Sequence, residues 1–242
     1  MAVHYRTRGF VIKKTDRGEA DQLFTIYTKD FGKLEILGKA IRKIKSKLRG
    51  GIELFYLSEI EFIQGKTYKT LTDAILIESF SKIRKDLERL FVANKIAESL
   101  DDLVKGQEPD MRIWDLLNEV FQKIENLLKI ENLKLKIIYY YFLWNFFSIL
   151  GYKPELYHCS SCQKRLVPGI FYFSLDLGGV VCRRCVEKPK KSQAVSQDLV
   201  KTVRLLLNKD WRVLSKLKID INSQRLLEKI SQSYFDEILN KN

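Results

Sequence analysis

Histidine is nearly absent from this chain, with two in 242 residues. General acid–base chemistry would therefore have to rest on carboxylates or lysines. The G-x-x-x-x-G-K-[ST] phosphate loop, the G-x-S-x-G elbow and the H-E-x-x-H helix are all missing, and no acidic cluster stands out to hold catalytic magnesium. No covalent catalysis is expected. The first residues, MAVHYRTRGFVIKK, lack an apolar signal core, so no secretion is expected. The longest apolar run, Ile137–Leu150, is broken by Asn145 and Ser148 and is shorter than the ~20 residues that span a bilayer. It reads as a buried central helix, with no membrane partner. There is no internal repeat and no low-complexity tract. Cysteine is limited to four residues. In the reducing cytoplasm, where this chain is expected to work, they serve as thiols or metal ligands rather than disulfides.

What the chain has in excess is positive charge: 43 Lys and Arg against 30 Asp and Glu, formally +13. A charge of that size attracts polyanions and gives sequence-independent phosphate affinity. Its distribution is uneven. Residues 1–80 carry 15 basic and 10 acidic side chains, residues 81–152 carry 11 of each, and residues 153–242 carry 17 and 9. Two basic flanks enclose a neutral middle.

Hydrophobic periodicity divides the chain along similar lines. From Tyr5 to Ser79 apolar and polar residues alternate at period two, with strands predicted near Arg8–Lys13, Leu23–Thr28, Lys33–Leu37, Ile52–Ile63 and Tyr68–Glu78. Asp30-Phe31-Gly32 and Gln64-Gly65-Lys66 read as hairpin turns. Five strands with one long basic connection fit a small closed barrel of the OB type. Beyond Ser79 the period becomes helical. Ile83, Leu87, Leu90, Phe91, Leu100, Leu103 and Val104 form one apolar set, and Ile113 through Leu128 a second after Pro109-Asp110. Leu133–Leu150 is apolar on all sides, and helices recur over Ser196–Asn208 and Gln224–Asn240. The expected fold is a multidomain α+β chain. Residues 1–80 form an N-terminal OB-fold β-barrel and 81–154 an α-helical domain. Residues 155–190 form a four-cysteine zinc-ribbon-like module, and 191–242 the helices that complete the helical domain.

All four cysteines fall in one pattern, Cys159-x2-Cys162-x19-Cys182-x2-Cys185. Each pair can wrap one edge of a tetrahedral ion, and the run between them can fold as a hairpin that unites the pairs. Zinc is the expected metal. Four thiolates close its shell, so the site is expected to be structural. His158 is expected to stand exposed beside the ligands. No His-x-Glu element precedes the cysteines as zinc deaminases require.

A second constellation lies in the barrel connection. Between Gly38 and Gly50-Gly51 stand Lys39, Arg42, Lys43, Lys45, Lys47 and Arg49, with no acidic residue among them. On a flexible loop, anchored through Ile41 and Ile44, these cations would track a phosphate backbone. Arg6, Arg8, Lys13 and Lys14 form a weaker patch on the first strand. The rings of Phe24, Tyr27, Phe31, Phe55, Tyr56, Phe62 and Tyr68 are expected to be mostly core.

The run Thr15-Asp-Arg-Gly-Glu-Ala-Asp21, then Leu23-Phe-Thr-Ile-Tyr-Thr28 and Phe31-Gly32-Lys33, resembles the start of the bacterial recombination mediators of the RecO family. Leu37 to Lys43, with Ser46, Gly51 and Leu54-Phe55, resembles that family's basic barrel segment, and the order of barrel, helices and zinc module agrees. The resemblance implies a DNA-repair protein of the bacterial cytoplasm and nucleoid. It implies binding of single- and double-stranded DNA, annealing of complementary strands, and help in loading RecA onto DNA coated by single-stranded DNA-binding protein. Implied partners are RecR and the acidic C-terminal tail of the single-stranded DNA-binding protein, with RecF and RecA as further contacts. An RNA- or ribosome-associated factor with OB and zinc-ribbon modules would share the same charge and modules, and a protein-interaction scaffold is a third class.

Overall fold

A computed structural model describes residues 3–65, 67–128, 132–187 and 191–241. Five strands open the chain: β1 (His4–Arg17), β2 (Asp21–Thr28), β3 (Gly32–Gly38), β4 (Leu57–Ile63) and β5 (Lys69–Glu78). They close into a barrel in the order β1-β2-β3-β5-β4. β1 is long enough to serve two neighbours. His4 to Phe10 pairs with β4, while Gly9 to Arg17 pairs with β2 across a register shift between Val11 and Lys13. Such a bulge bends a strand and lets one sheet curl onto itself. β3 and β5 close the circle through a short parallel pairing of Ile36 with Lys69 and Leu37 with Thr70. Inward positions of alternate strands supply Val11, Phe24, Ile26, Leu34, Ile36, Ile60, Phe62 and Leu71 to one buried cluster. The expected OB-like barrel is thus present.

Three strand limits differ from those expected by four residues or more, the first being the start of β1 at His4 rather than Arg8. β1 continues to Arg17, because Lys13 to Arg17 lies in a solvated hairpin arm where both faces are polar. β4 begins at Leu57 rather than Ile52. Ile52 and Phe55 are buried, but Phe55 takes a left-handed φ of 63°, which an extended ladder does not accommodate. At the β2–β3 hairpin Gly32 has φ 61°, and a β-carbon there would stand 2.5 Å from the carbonyl oxygen of Glu108. Of the second predicted turn, Lys66 lies outside the described residues.

Helices α1 (Ser81–Lys85), α2 (Leu87–Leu103) and α3 (Met111–Asn126) follow. Phe10, on the outer face of β1, meets Phe80, Trp114 and Phe121, and Phe55 also meets Phe121, so the barrel wall is the floor for these helices. The Tyr27 hydroxyl donates to the carbonyl of Asp110, whose side chain caps α3 through the Arg112 N–H. At the other end of α3 the buried Arg89 guanidinium donates to the carbonyls of Glu125 and Leu127. The first compact unit therefore runs from Met1 to Leu135, beyond the change of periodicity at residue 80. The apolar face of α2 is the predicted one in its last turns, where Leu100, Leu103 and Val104 are buried, but not in its first. Leu87 and Phe91 are exposed, and the buried stripe runs through Val92, Ala93, Ile96, Ala97, Leu100 and Leu103. Small alanines allow close approach, and a pattern of large apolar residues passes over them.

The second unit spans Lys136–Asn242. Its centre is the greater part of α4 (Asn132–Ile149), from Lys136 onward, buried on nearly all sides as expected. Trp144 stacks on Tyr234 and donates from its indole to Ser231, and Asn145 donates to the carbonyls of Tyr141 and Leu206. Around it lie α5 (Gln197–Leu207), α6 (Trp211–Leu214) and α7 (Ile221–Leu239). A three-stranded sheet has the order β7 (Gly179–Cys182), β6 (Phe171–Ser174), β8 (Ser192–Val195). The β6–β7 hairpin is the one expected between the cysteine pairs; β8, mostly polar, is an addition to the predicted strands. Among the described residues no helix is long and apolar enough to cross a membrane.

Candidate nucleic-acid interface and metal centre

The basic connection leaves β3 at Gly38 and is held at once. The Asp21 carboxylate accepts from the Ala40 N–H at 2.7 Å, and the Ala20 carbonyl accepts from the Arg42 N–H at 3.0 Å. Ile41 is 1% exposed and belongs to the barrel core, as does Ile52 at the far end. Between them the chain turns on bonds from Lys43 N–H to Ala40 and from Ser46 N–H to Lys43, then forms a 3-10 turn over Lys47–Gly50. The Ser58 hydroxyl donates to the Gly51 carbonyl at 2.6 Å, and a β-carbon on Gly51 would fall 1.8 Å from the Ala74 carbonyl oxygen. The segment is thus seated on the barrel at both ends. One of its two expected anchors fails: Ile44 is 94% exposed, and Leu48 is the residue that packs instead.

Seating the segment this way leaves its cations outside. Lys39, Arg42, Lys43, Lys45, Lys47 and Arg49 are all exposed. Arg42 reaches Asp16 at 3.2 Å, while the other five have no carboxylate partner among the described residues. The patch on β1 behaves differently. Arg6 pairs with Glu59, Lys13 with Asp101 and Lys14 with Glu53, so only Arg8 keeps an uncompensated charge. For Arg6 the cause is register, since β1 runs antiparallel to a β4 that presents Glu59 and Glu61 to it, whereas the partners of Lys13 and Lys14 come from α2 and from the segment before β4. Asp101 also receives Lys33. Burial raises its pKa, but donation from Lys13 and Lys33 outweighs this and holds the carboxyl below its usual range. Of the barrel rings, Phe24, Tyr27, Phe55 and Phe62 are buried as expected, and Phe31 packs against the core cluster. Tyr56 lies under the Arg84 guanidinium, and Tyr68 under that of Arg17.

In the second unit the four cysteines converge. Their sulfurs all lie within 4.8 Å of one another, with Cys159 and Cys185 buried. Two turns prepare this. Cys159 accepts at its carbonyl from the Gln163 N–H and donates its own N–H to Lys164, while Ser160 N–H bonds to Val180 and so docks the first knuckle on β7. The Cys182 N–H points at the Cys159 sulfur at 3.4 Å. Burial raises the Cys159 thiol, but N–H groups of Cys182, Cys162 and Ser161 outweigh it and bring it to about 6, whereas burial lifts Cys185 to about 11. A tetrahedral ion with metal–sulfur bonds of ~2.3 Å needs sulfurs ~3.8 Å apart, so this donor set could hold a metal ion. His158 stands outside it, half exposed, with its Nδ1 3.7 Å from Glu155. Sequence reasoning did not mark the cations carried by these turns. Lys164, Arg165, Arg183 and Arg184 are exposed and have no carboxylate partner among the described residues. The signal was there: two follow Cys162 almost directly, and two lie between Cys182 and Cys185.

An OB-like barrel with an exposed cationic connection and a helical unit bearing four convergent thiols define a class of basic, polyanion-attracting protein. Comparison with known proteins narrows it. Residues 1–80 match the model described as Recombination protein O N terminal, and residues 84–242 match Recombination protein O C terminal. The chain is 31% identical over 216 residues to the DNA repair protein RecO of Dehalococcoides mccartyi, covering 89% of this chain and 83% of the relative. It is 31% identical to that of Acetivibrio thermocellus over 240 residues, 99% and 93% of the two chains, and 28% identical to that of a Thermoanaerobacter species over 239 residues, 97% and 92%. The chain belongs to the RecO family of DNA repair proteins and so to recombinational repair.

Proposed function

We propose that this protein binds single- and double-stranded DNA, anneals complementary strands, and helps load RecA onto DNA coated by single-stranded DNA-binding protein, without covalent catalysis. The observation that carries the reading is the basic connection, six exposed cations on a backbone pinned to an OB-like barrel, five of them without a carboxylate partner among the described residues. Annealing requires two anionic strands to approach despite repulsion. A +13 protein neutralises phosphates on both and releases their counterions. In this reading Lys39, Arg42, Lys43, Lys45, Lys47 and Arg49 hold one strand, while the basic last third, through Lys164, Arg165, Arg183 and Arg184, helps hold the second. Contacts of this kind read the backbone, so sequence preference is weak.

Cys159, Cys162, Cys182 and Cys185 would hold zinc. Bound there, the ion supplies structure and no chemistry, because four thiolates leave no position for water or substrate. The protein would act at the nucleoid in the bacterial cytoplasm, with RecR and the acidic tail of the single-stranded DNA-binding protein as partners, and RecF and RecA as further ones. The test is annealing of two labelled complementary oligonucleotides without nucleotide, across a salt series. Protein-accelerated, salt-sensitive annealing is expected. Replacing Arg42, Lys43 and Lys45 together by Ala should flatten the salt dependence of single-strand binding by about two log units per log salt, at ~0.7 per contact. An unchanged slope removes the connection from the binding surface, and a preference for structured RNA favours an RNA-associated factor.

A further inference from the structure

Of the Phe, Tyr and Trp rings among the described residues, two stand exposed, Phe91 and Tyr157. Phe91 lies on the outside of α2 beneath the Lys95 amine, in the electrically neutral middle of the chain. Tyr157 is different in each respect that matters. Its ring is 53% exposed, and the Arg204 guanidinium lies 4.3 Å from its centroid. Arg204 is itself fixed, its Nη2 donating to the Leu156 carbonyl, while its buried Nε–H has no partner. The peptide that carries the ring is fixed as well. The Glu155 carboxylate accepts from the N–H groups of Tyr157 and His158 at 2.7 and 2.9 Å, and the Tyr157 carbonyl accepts from Leu166 N–H at 2.9 Å.

Beside this ring opens a cleft of about 310 Å³, lined by Lys153, Leu156, Tyr157, Arg204, Leu207 and Asn208 among others. Its walls are mixed, with Pro154, Leu156 and Leu207 apolar, Asn208 and the Glu155 carboxylate polar, and Lys153 and Arg204 cationic. Lys153 is exposed and has no carboxylate partner among the described residues, and Arg165 lies across an isolated β-bridge from His158, the next residue after Tyr157. A ring held rigidly, with a cation beside it and exposed cations around it, suits a planar, polar-edged group on an anionic chain. That is a nucleobase. Aromatic platforms with Arg support stack bases without regard to sequence.

We propose that Tyr157, braced by Arg204, is a stacking platform for an unpaired base of single-stranded DNA at the edge of the cysteine module. The proposal rests on the DNA-binding reading above. It adds base contact to a surface otherwise built for phosphates, and it makes the second unit selective for unpaired over paired strands.

The experiment is a fluorescence-anisotropy titration of the full, metal-loaded chain with an oligothymidylate and with a strand of the same length lacking bases, over several salt concentrations. Tyr157→Ala should weaken oligothymidylate binding by about 5- to 150-fold at every salt concentration, with the salt slope unchanged. Tyr157→Phe and Tyr157→Trp should bind like the parent, and the baseless strand should not distinguish Tyr157→Ala from it. Photocrosslinking of an iododeoxyuridine strand to the unmodified protein should label the peptide containing Tyr157, a result that depends on no variant's folding. Equal loss on both strands, an altered slope, or no loss would overturn the proposal. Loss of binding only in the Lys39–Arg49 variants would leave the general reading standing without it, whereas a parent protein that binds no strand would overturn both.

Discussion

Gly50 and Gly51 are neighbours at the end of the basic connection, yet a methyl group on each would meet different surroundings. At Gly50 nothing lies within 4 Å of the position a β-carbon would take, while at Gly51 it would overlap the Ala74 carbonyl oxygen at 1.8 Å. Gly51 has φ −93°, so alanine there suffers no left-handed strain, and the clash is the whole penalty. The obstructing atom is backbone of β5 and cannot rotate away. Relief requires the connection to lift off the barrel, and Ile52 and the Ser58 bond to the Gly51 carbonyl resist this. Overpacking of this kind costs ~1–3 kcal/mol. Against it stands the ~0.4–1 kcal/mol that a glycine-to-alanine change contributes by restricting the unfolded chain. Gly51→Ala should therefore be destabilising by about 1–2 kcal/mol, a fall in melting temperature of several degrees, and Gly50→Ala neutral or slightly stabilising. Thermal and urea unfolding of the two variants, followed by circular dichroism, gives the comparison. Equal stability of the two would refute the seating of the connection on β5.

Arg89→Met keeps the apolar stem but removes two bonds to the carbonyls at the end of α3; urea unfolding should show a loss of about 2–3 kcal/mol, against almost none for the exposed Lys85→Met. Asp101 should give stability an acid limb. Its carboxyl is held below the ordinary range in the folded chain, so its contribution is complete above the unfolded value near ~4 and fades as pH falls through the folded one. Asp101→Asn should accordingly be less stable than the parent at neutral pH and approach it in acid, and a difference independent of pH would remove this ion pair as the cause. Cys182→Ser should lower bound metal, read by mass spectrometry under native conditions, and expose the second unit to proteolysis while the barrel stays resistant. Full metal removal with unchanged protease resistance would make the ion incidental.

The parts of this molecule legible in its sequence are those fixed by near neighbours. Cys159, Cys162, Cys182 and Cys185 announce themselves because a knuckle is a local turn, and the six cations of the connection announce themselves as a run. Period-two alternation finds the barrel because its interior positions must be apolar. What escaped depends on partners distant in the chain. The β1 cations look free until β4 and α2 supply Glu59 and Asp101. Ile44 and Leu48 exchange roles because the direction of a turn, and not hydrophobicity, decides which reaches the core. β8 carries no alternation of its own and exists because β6 had an edge to complete. Phe55 matches a strand in type while its backbone does not.

The pinning of the basic connection also bears on the thermodynamics of binding. Fixing the backbone of a free loop on a strand would cost ~1–2 kcal/mol of conformational entropy per residue ordered. Here Ile41 and Ile52 bring the two ends of the segment into the barrel core, so that ordering belongs to folding and not to association. The entropy released with displaced counterions is then left nearly uncancelled. Calorimetry of strand binding should show a favourable entropy that shrinks as salt rises, with only a small heat-capacity change, because little chain remains to be folded on the DNA.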